Sequence, residues 1–136
     1  MSTLRQASRW RGRKTRHPKA AVLRRQPNKK GDVRRVMIIT PKKPNSARRP
    51  AVKILMSSGI AGIAHVPGPG HNLRRHGDTL VRGRGARDLP GVNISCIRGK
   101  YDLLAVLEKT KRRSIYGVSR PAHKVTKLRR RFRGAL

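Results

Sequence analysis

Val36-Met37-Ile38-Ile39-Thr40-Pro41-Lys42-Lys43-Pro44-Asn45-Ser46-Ala47-Arg48-Arg49-Pro50-Ala51-Val52-Lys53-Ile54-Leu55 is a pair of aliphatic runs joined by a polar, proline-stiffened loop. Each proline fixes its own φ at about −65° and moves the residue before it away from helix, so 41–49 reads as a stiff, extended loop. The runs on either side are rich in β-branched residues, as strands are. Asn45 and Ser46 are short side chains with donors and acceptors, set between Lys42-Lys43 and Arg48-Arg49. A rigid polar tip ringed by cations and mounted on two strands suits a polyanion whose shape must be read.

Outward from this loop the same strand pattern recurs. Residues 33–40, 51–56, 60–66, 79–82 and 92–98 read as five strands bounded by Pro and Gly. The Ser57-Ser58-Gly59 turn makes the second and third a hairpin. In the fifth, Val92, Ile94 and Cys96 alternate with Asn93 and Ser95, the period of a half-buried strand. Asp102 could cap a short helix over 103–108, but a turn that packs on the core is the preferred reading. Pro50 and Pro67 fall at strand edges, where a missing N–H is tolerated. The fold class is therefore mostly β: a five-stranded OB-type barrel with long basic N-terminal and C-terminal extensions. So small a barrel is marginal by itself, and a ligand that binds only the folded form would supply much of its working stability.

Charge gives the partner class. The 136 residues carry 36 Lys+Arg against 5 Asp+Glu, a net of +31. That self-repulsion argues for a polyanionic partner. Residues 1–31 and 109–136 each hold eleven basic side chains and no acid, leaving 32–108 at +9 with all five acids. Three segments follow: a basic extension (1–31), a barrel (32–108) and a basic tail (109–136). The first segment also resembles an organelle presequence, being Arg-rich and acid-free. Its basic character runs to Lys29-Lys30 without a break, which favours an arm threaded through RNA. The tail could be a nuclear-localisation patch, but it reads better as extended and RNA-contacting. In it Tyr116 and Phe132 could stack on a base or an arginine, or cover an apolar spot on a neighbouring protein.

Other classes find little support. No apolar run approaches the roughly 20 residues of a membrane span, and no amphipathic helix offers bulky anchors. Aromatics are few, so contacts to phosphate and sugar are expected in place of a stacking platform. The lone Cys96 suits a reducing compartment. His71 and His76 lack the further N/S ligands that zinc wants, so no metal is expected. The Gly83-Arg84-Gly85 match lacks the helix of a dinucleotide site, and no cofactor is expected. Asp88 among arginines reads as a neutralised carboxylate that holds its loop's shape. A catalytic acid needs a pocket and a second titratable group, so the chain is not expected to be an enzyme.

Four motifs in series now point to a family. Pro41-Lys42-Lys43-Pro44-Asn45-Ser46-Ala47, Gly70-His71-Asn72-Leu73 followed by His76, Asp88-Leu89-Pro90-Gly91-Val92, and Tyr116-Gly117-Val118 with Arg120-Pro121 stand in this order. Together they resemble the family of small-subunit ribosomal protein twelve, over residues 26–121. The resemblance implies an OB barrel on the subunit interface and an rRNA-binding protein at the decoding centre that helps monitor codon–anticodon pairing. It implies that Pro44, Asn45 and Ser46 lie at the mRNA–tRNA decoding helix. Lys42 and Lys43 match cationic residues that touch rRNA and influence accuracy and streptomycin response. Arg48, Arg49, Arg84, Arg87, Arg112, Arg113 and Arg120 are expected to join them on small-subunit rRNA. His71, Asn72 and His76 match the surface that faces tRNA and, transiently, elongation factor Tu. Asp88 matches an aspartate that is methylthiolated in some bacterial members. Neighbouring ribosomal proteins complete the expected partners.

There are departures. Pro69 and Arg75 stand where acidic residues are common, which removes two negative charges from the factor-facing loop. Arg87 stands where many bacterial members have lysine, and the two differ in hydration and fork geometry. Pro50 replaces a usual lysine. The GHNL and DLPGV patterns look like the bacterial and organellar branch. Arg98-Gly99-Lys100-Tyr101-Asp102 looks like some mitochondrial members, so a mitochondrial small subunit is expected over a bacterial cytoplasmic or chloroplast one.

Overall fold

The computed structural model describes residues 3–5, 21–24 and 26–121. Trp10, Phe132 and much of both basic arms lie outside them. A 3-10 turn (Ala21–Leu23) precedes β1 (Asn28–Ile39), β2 (Arg49–Met56), β3 (Ala61–His65), β4 (Asp78–Arg82), β5 (Ile94–Cys96) and a one-turn helix, α1 (Arg113–Tyr116). The strands close into a barrel in the order β1-β2-β3-β5-β4 and back to β1. All pairings are antiparallel except β3 with β5. This is the five-stranded barrel that the strand pattern called for.

The strand ends differ from expectation in instructive ways. β1 starts at Asn28, ahead of the expected start at 33, because Asn28 to Asp32 pair with Arg82 to Asp78 of β4. The same strand pairs through Gly31 to Ile39 with β2. One strand that closes the barrel from both sides must bend, and the register shift between Val33 and Arg35 is where it does so. β5 is shorter than the expected 92–98, although the Ile97 N–H still donates to Leu80 O at 2.8 Å. The aliphatic run entering the loop is only partly core. Ile38 is 66% exposed, while Val33 and Val52 are fully buried.

Val33, Val52, Ile54, Met56, Ala64, Val66, Val81, Ile94 and Cys96 fill the barrel, with Leu23, Leu73 and Leu103 packed on the same core. Each fully buried aliphatic side chain of Val or Leu size contributes about 1.5–3 kcal/mol. Leu103 enters from a turn, not a helix; Lys100 and Leu103 form an isolated bridge and Tyr101 has φ 52°. That agrees with the core-packing reading of the stretch. The Cys96 thiol is pushed up to about 12, chiefly by burial, so it is an inert core group at neutral pH.

The stretch 109–121 is not simply extended. Arg112 (φ 54°) and Gly117 (φ 69°) bracket α1, and Val106 N–H donates to Tyr116 O (3.1 Å), folding the segment back on the barrel. Four residues offer no periodicity from which a helix could be read.

Candidate nucleic-acid interface

Two loops meet at one end of the barrel. Lys42 N–H donates to Asp88 O (3.0 Å), which ties the loop after β1 to the loop after β4. Arg49, the first residue of β2, donates through Nε (2.9 Å) and Nη2 (2.5 Å) to Asp88 Oδ2. Asn45 Nδ2 reaches the same oxygen at 3.5 Å. Within the tip, Asn45 N–H donates to Lys42 O (3.1 Å) across a cis Lys43–Pro44 peptide. Within the stretch expected to be extended, Lys42 to Asn45 therefore form a tight turn. Pro41 is buried beneath it, while Lys42, Lys43, Pro44, Asn45, Ser46 and Arg48 are exposed.

The second loop is fixed at both ends. Ser95 Oγ donates to Arg84 O, and Leu89 is buried beside Asp88. Arg84 and Arg87 remain exposed on it. Exposed cations therefore stand on both joined loops, Lys42, Lys43 and Arg48 flanking the uncharged Pro44-Asn45-Ser46 tip in sequence and Arg84 and Arg87 on the second loop. Arg49 differs from the rest: its guanidinium is spent on Asp88. The pair has side chains 37% and 15% exposed. Burial alone would raise the Asp88 carboxyl, but the hydrogen bond and charge of Arg49 outweigh it and hold Asp88 below the usual carboxylate range. Asp88 therefore keeps its charge wherever the barrel is folded near neutral pH.

His65, which the sequence reading passed over, lies beside this pair on β3. Burial first, and then the Arg49 charge, hold its imidazole below the usual value, with Asp88 opposing. His71 is lowered in the same direction by burial and then Arg98. A group whose folded pKa is depressed binds fewer protons folded than unfolded, so stability rises with pH between the two values. Both contributions are complete above the unfolded histidine value of about 6.5 and are lost as pH falls below it. Thermal unfolding of the purified chain should therefore show a lower Tm at about pH 5 than at about pH 7.5. Equal Tm values would contradict it.

The other expected residues form a second region. His76 (φ 63°) is exposed, its N–H donates to Val33 O (2.7 Å), and its Nδ1 stands 4.0 Å from Asp32 Oδ2. Asn72 stays exposed while tying two segments together: Nδ2 donates to Asp102 O (2.6 Å) and Oδ1 accepts from Leu104 N–H (3.1 Å). His71 is half-buried within reach of the Arg98 charge. Asp78 N–H donates to Asp102 Oδ2 (2.7 Å), and Lys30 pairs with Asp78 at 2.8 Å. Asp32, Asp78 and Asp102 thus supply carboxylates to a region whose own loop, with Pro69 and Arg75, carries none beyond Asp78 at its end. Arg112 and Arg113 sit with α1, and Arg120 follows it; none belongs to the network centred on Asp88. Tyr116 is seated on Gly68 with Lys109 Nζ 5.8 Å from its ring centre.

A family model described as ribosomal protein S12/S23 matches residues 15–125. Small ribosomal subunit protein uS12m of Paramecium tetraurelia is 51% identical over 133 residues, which cover 98% of this chain and 96% of that protein.

Proposed function

The chain belongs to the ribosomal protein S12/S23 family and is a structural protein of the small ribosomal subunit, and we propose that within that particle its 41–49 loop lies at the decoding site, with Pro44, Asn45 and Ser46 against the codon–anticodon helix or the rRNA that monitors it. The ribosome concerned is the mitochondrial one, on the strength of the uS12m relative. The family is one of structural proteins, not of enzymes.

The observation that carries this reading is the three-way tie of Lys42, Asn45 and Arg49 to Asp88. It pins both sides of the loop and leaves only small groups projecting between exposed cations. Duplex RNA offers proteins a wide, shallow minor groove lined with 2′-hydroxyls, read mainly by shape. A reader of correct pairing therefore needs a fixed surface and short polar groups more than long mobile side chains. Ser46 and Asn45 supply the groups. Pro44 restricts the backbone between them and Lys43.

The exposed cations Lys42, Lys43, Arg48, Arg84 and Arg87 hold rRNA phosphates around the tip, and Arg49 acts indirectly by shaping it. Arg112, Arg113, Arg120 and the two basic extensions add sequence-independent phosphate contacts, which dominate affinity in such complexes. The His71–His76 face meets tRNA and, transiently, elongation factor Tu, and neighbouring ribosomal proteins cover other surfaces.

Ser46→Ala is expected to raise near-cognate misreading a few-fold, since one net hydrogen bond is worth roughly 0.5–1.5 kcal/mol. Pro44→Ala should loosen the tip and alter accuracy more than subunit assembly. The check is the ratio of near-cognate to cognate incorporation on mutant ribosomes whose small subunits sediment normally. Ratios equal to the parent's would refute the reading.

A further inference from the structure

Arg98 is 5% exposed, and among the described residues no carboxylate pairs with it. A buried cation without an anion is costly unless its donors are satisfied. Here backbone carbonyls satisfy them. Nε donates to Pro67 O (2.8 Å), Nη1 to Leu104 O (3.2 Å), and Nη2 to Pro69 O (3.2 Å) and Gly70 O. One planar fork thus joins the loop that leads into His71 to the turn that follows Leu103. Asn72 joins the same two segments independently, through Asp102 O and Leu104 N–H. A third segment closes over them. The Tyr116 ring lies so close to Gly68 (φ 89°) that a Cβ there would stand 2.8 Å from Cε1. This network shares no residue with the one around Asp88.

We propose that Arg98 is the positioning residue of the His71–His76 face: it sets the pose of the loop that meets the elongation factor, and so governs the factor-dependent step without touching codon discrimination. The proposal rests on the reading that this face meets the factor. Lysine replaces the fork only in part, because its ammonium is a single point that can serve the carbonyls of one segment but not of both together.

The test uses ribosomes whose small subunits carry the full chain with Arg98→Met, Arg98→Lys or His76→Ala. GTP hydrolysis by elongation factor Tu is followed on cognate and near-cognate codons, with kcat and KM resolved. Arg98→Met should raise KM for the factor–tRNA complex roughly tenfold, as the displaced loop loses about one hydrogen bond's worth of contact with the factor, with kcat and the cognate to near-cognate ratio unchanged. Arg98→Lys should recover part of the loss, and it carries the test if the methionine variant fails to assemble. His76→Ala should weaken the factor step directly. An Arg98→Met ribosome that matches the parent while His76→Ala is impaired overturns the proposal alone. Silence of both overturns the factor-facing reading beneath it. A loss that extends equally to codon selection makes Arg98 a general structural residue and also overturns it.

Discussion

Asp88→Ala is expected to raise near-cognate misreading about tenfold while the barrel still folds, the largest effect of any single side chain around the decoding loop. The size follows from losing charge-assisted hydrogen bonds to one oxygen, each worth more than a neutral one. Asp88 Oδ2 accepts from Arg49 Nε, Arg49 Nη2 and Asn45 Nδ2. Without it the Arg49 guanidinium has no counter-charge and stands among Lys42, Lys43 and Arg48. The loop should spread, and its tip should lose its fixed geometry. The backbone bond from Lys42 N–H to Asp88 O survives the substitution, so the two loops stay joined. Asp88→Asn should fall between alanine and the parent, because an amide oxygen can still accept from Arg49 but brings no charge. The check is the incorporation ratio on ribosomes with normal small-subunit sedimentation; parental accuracy would show that the tie to Asp88 does not shape the tip.

Among the described glycines, Gly85→Ala should add the most damaging single methyl group. A Cβ at Gly85 would lie 1.8 Å from Val92 O and 2.8 Å from Asn93 Cα, far inside any tolerable contact. The atoms in the way are backbone, and Val92 is itself 3% exposed, so no side chain can swing aside. Relief requires the Gly83–Gly91 loop or the approach to β5 to move, which breaks the Ser95 to Arg84 anchor and displaces Asp88. Overpacking of this kind typically costs 1–3 kcal/mol, and this case belongs at about 3 kcal/mol or more. The readout is loss of the chain from sedimenting small subunits together with a lower Tm for the purified protein. Gly59→Ala is the comparison: nothing lies within 4 Å of a Cβ there, so it carries only the backbone cost of its φ of 77°, roughly 1–2 kcal/mol. Equal behaviour of the two variants would contradict the packing account.

The barrel was legible because its strands are apolar and punctuated by Pro and Gly; the half-buried alternation expected at 92–96 is not what forms, since β5 is buried at Ile94, Ser95 and Cys96 alike. The start of β1 was not. Asn28-Lys29-Lys30-Gly31 has the composition of a turn, and only pairing with β4 makes it strand. The loop could be recognised as stiff, but its tight turn depends on the Lys42–Asn45 bond and on contacts across to Asp88. That Asp88 would be a shape-holding carboxylate followed from the arginines near it. Which arginine it would take did not, since Arg49 is 39 residues away and competes with nearer ones. Asn72 could be assigned to the 67–77 loop by motif alone, but its amide bonds to Asp102 and Leu104, 30 and 32 residues away, could not. Arg98 read as the last residue of a strand. Its role arises from three loops converging on it, and no local pattern encodes that.

Everything proposed for this chain turns on the Pro44-Asn45-Ser46 tip reading the decoding helix. The most direct measurement is a cryo-EM map of the mitochondrial ribosome containing this chain, with mRNA and cognate tRNA in the decoding site. The account predicts Asn45 and Ser46 within hydrogen-bonding distance of the codon–anticodon minor groove or of the rRNA bases set in it, with Arg49 still on Asp88. A tip that faces solvent or another protein, away from the codon, would contradict it.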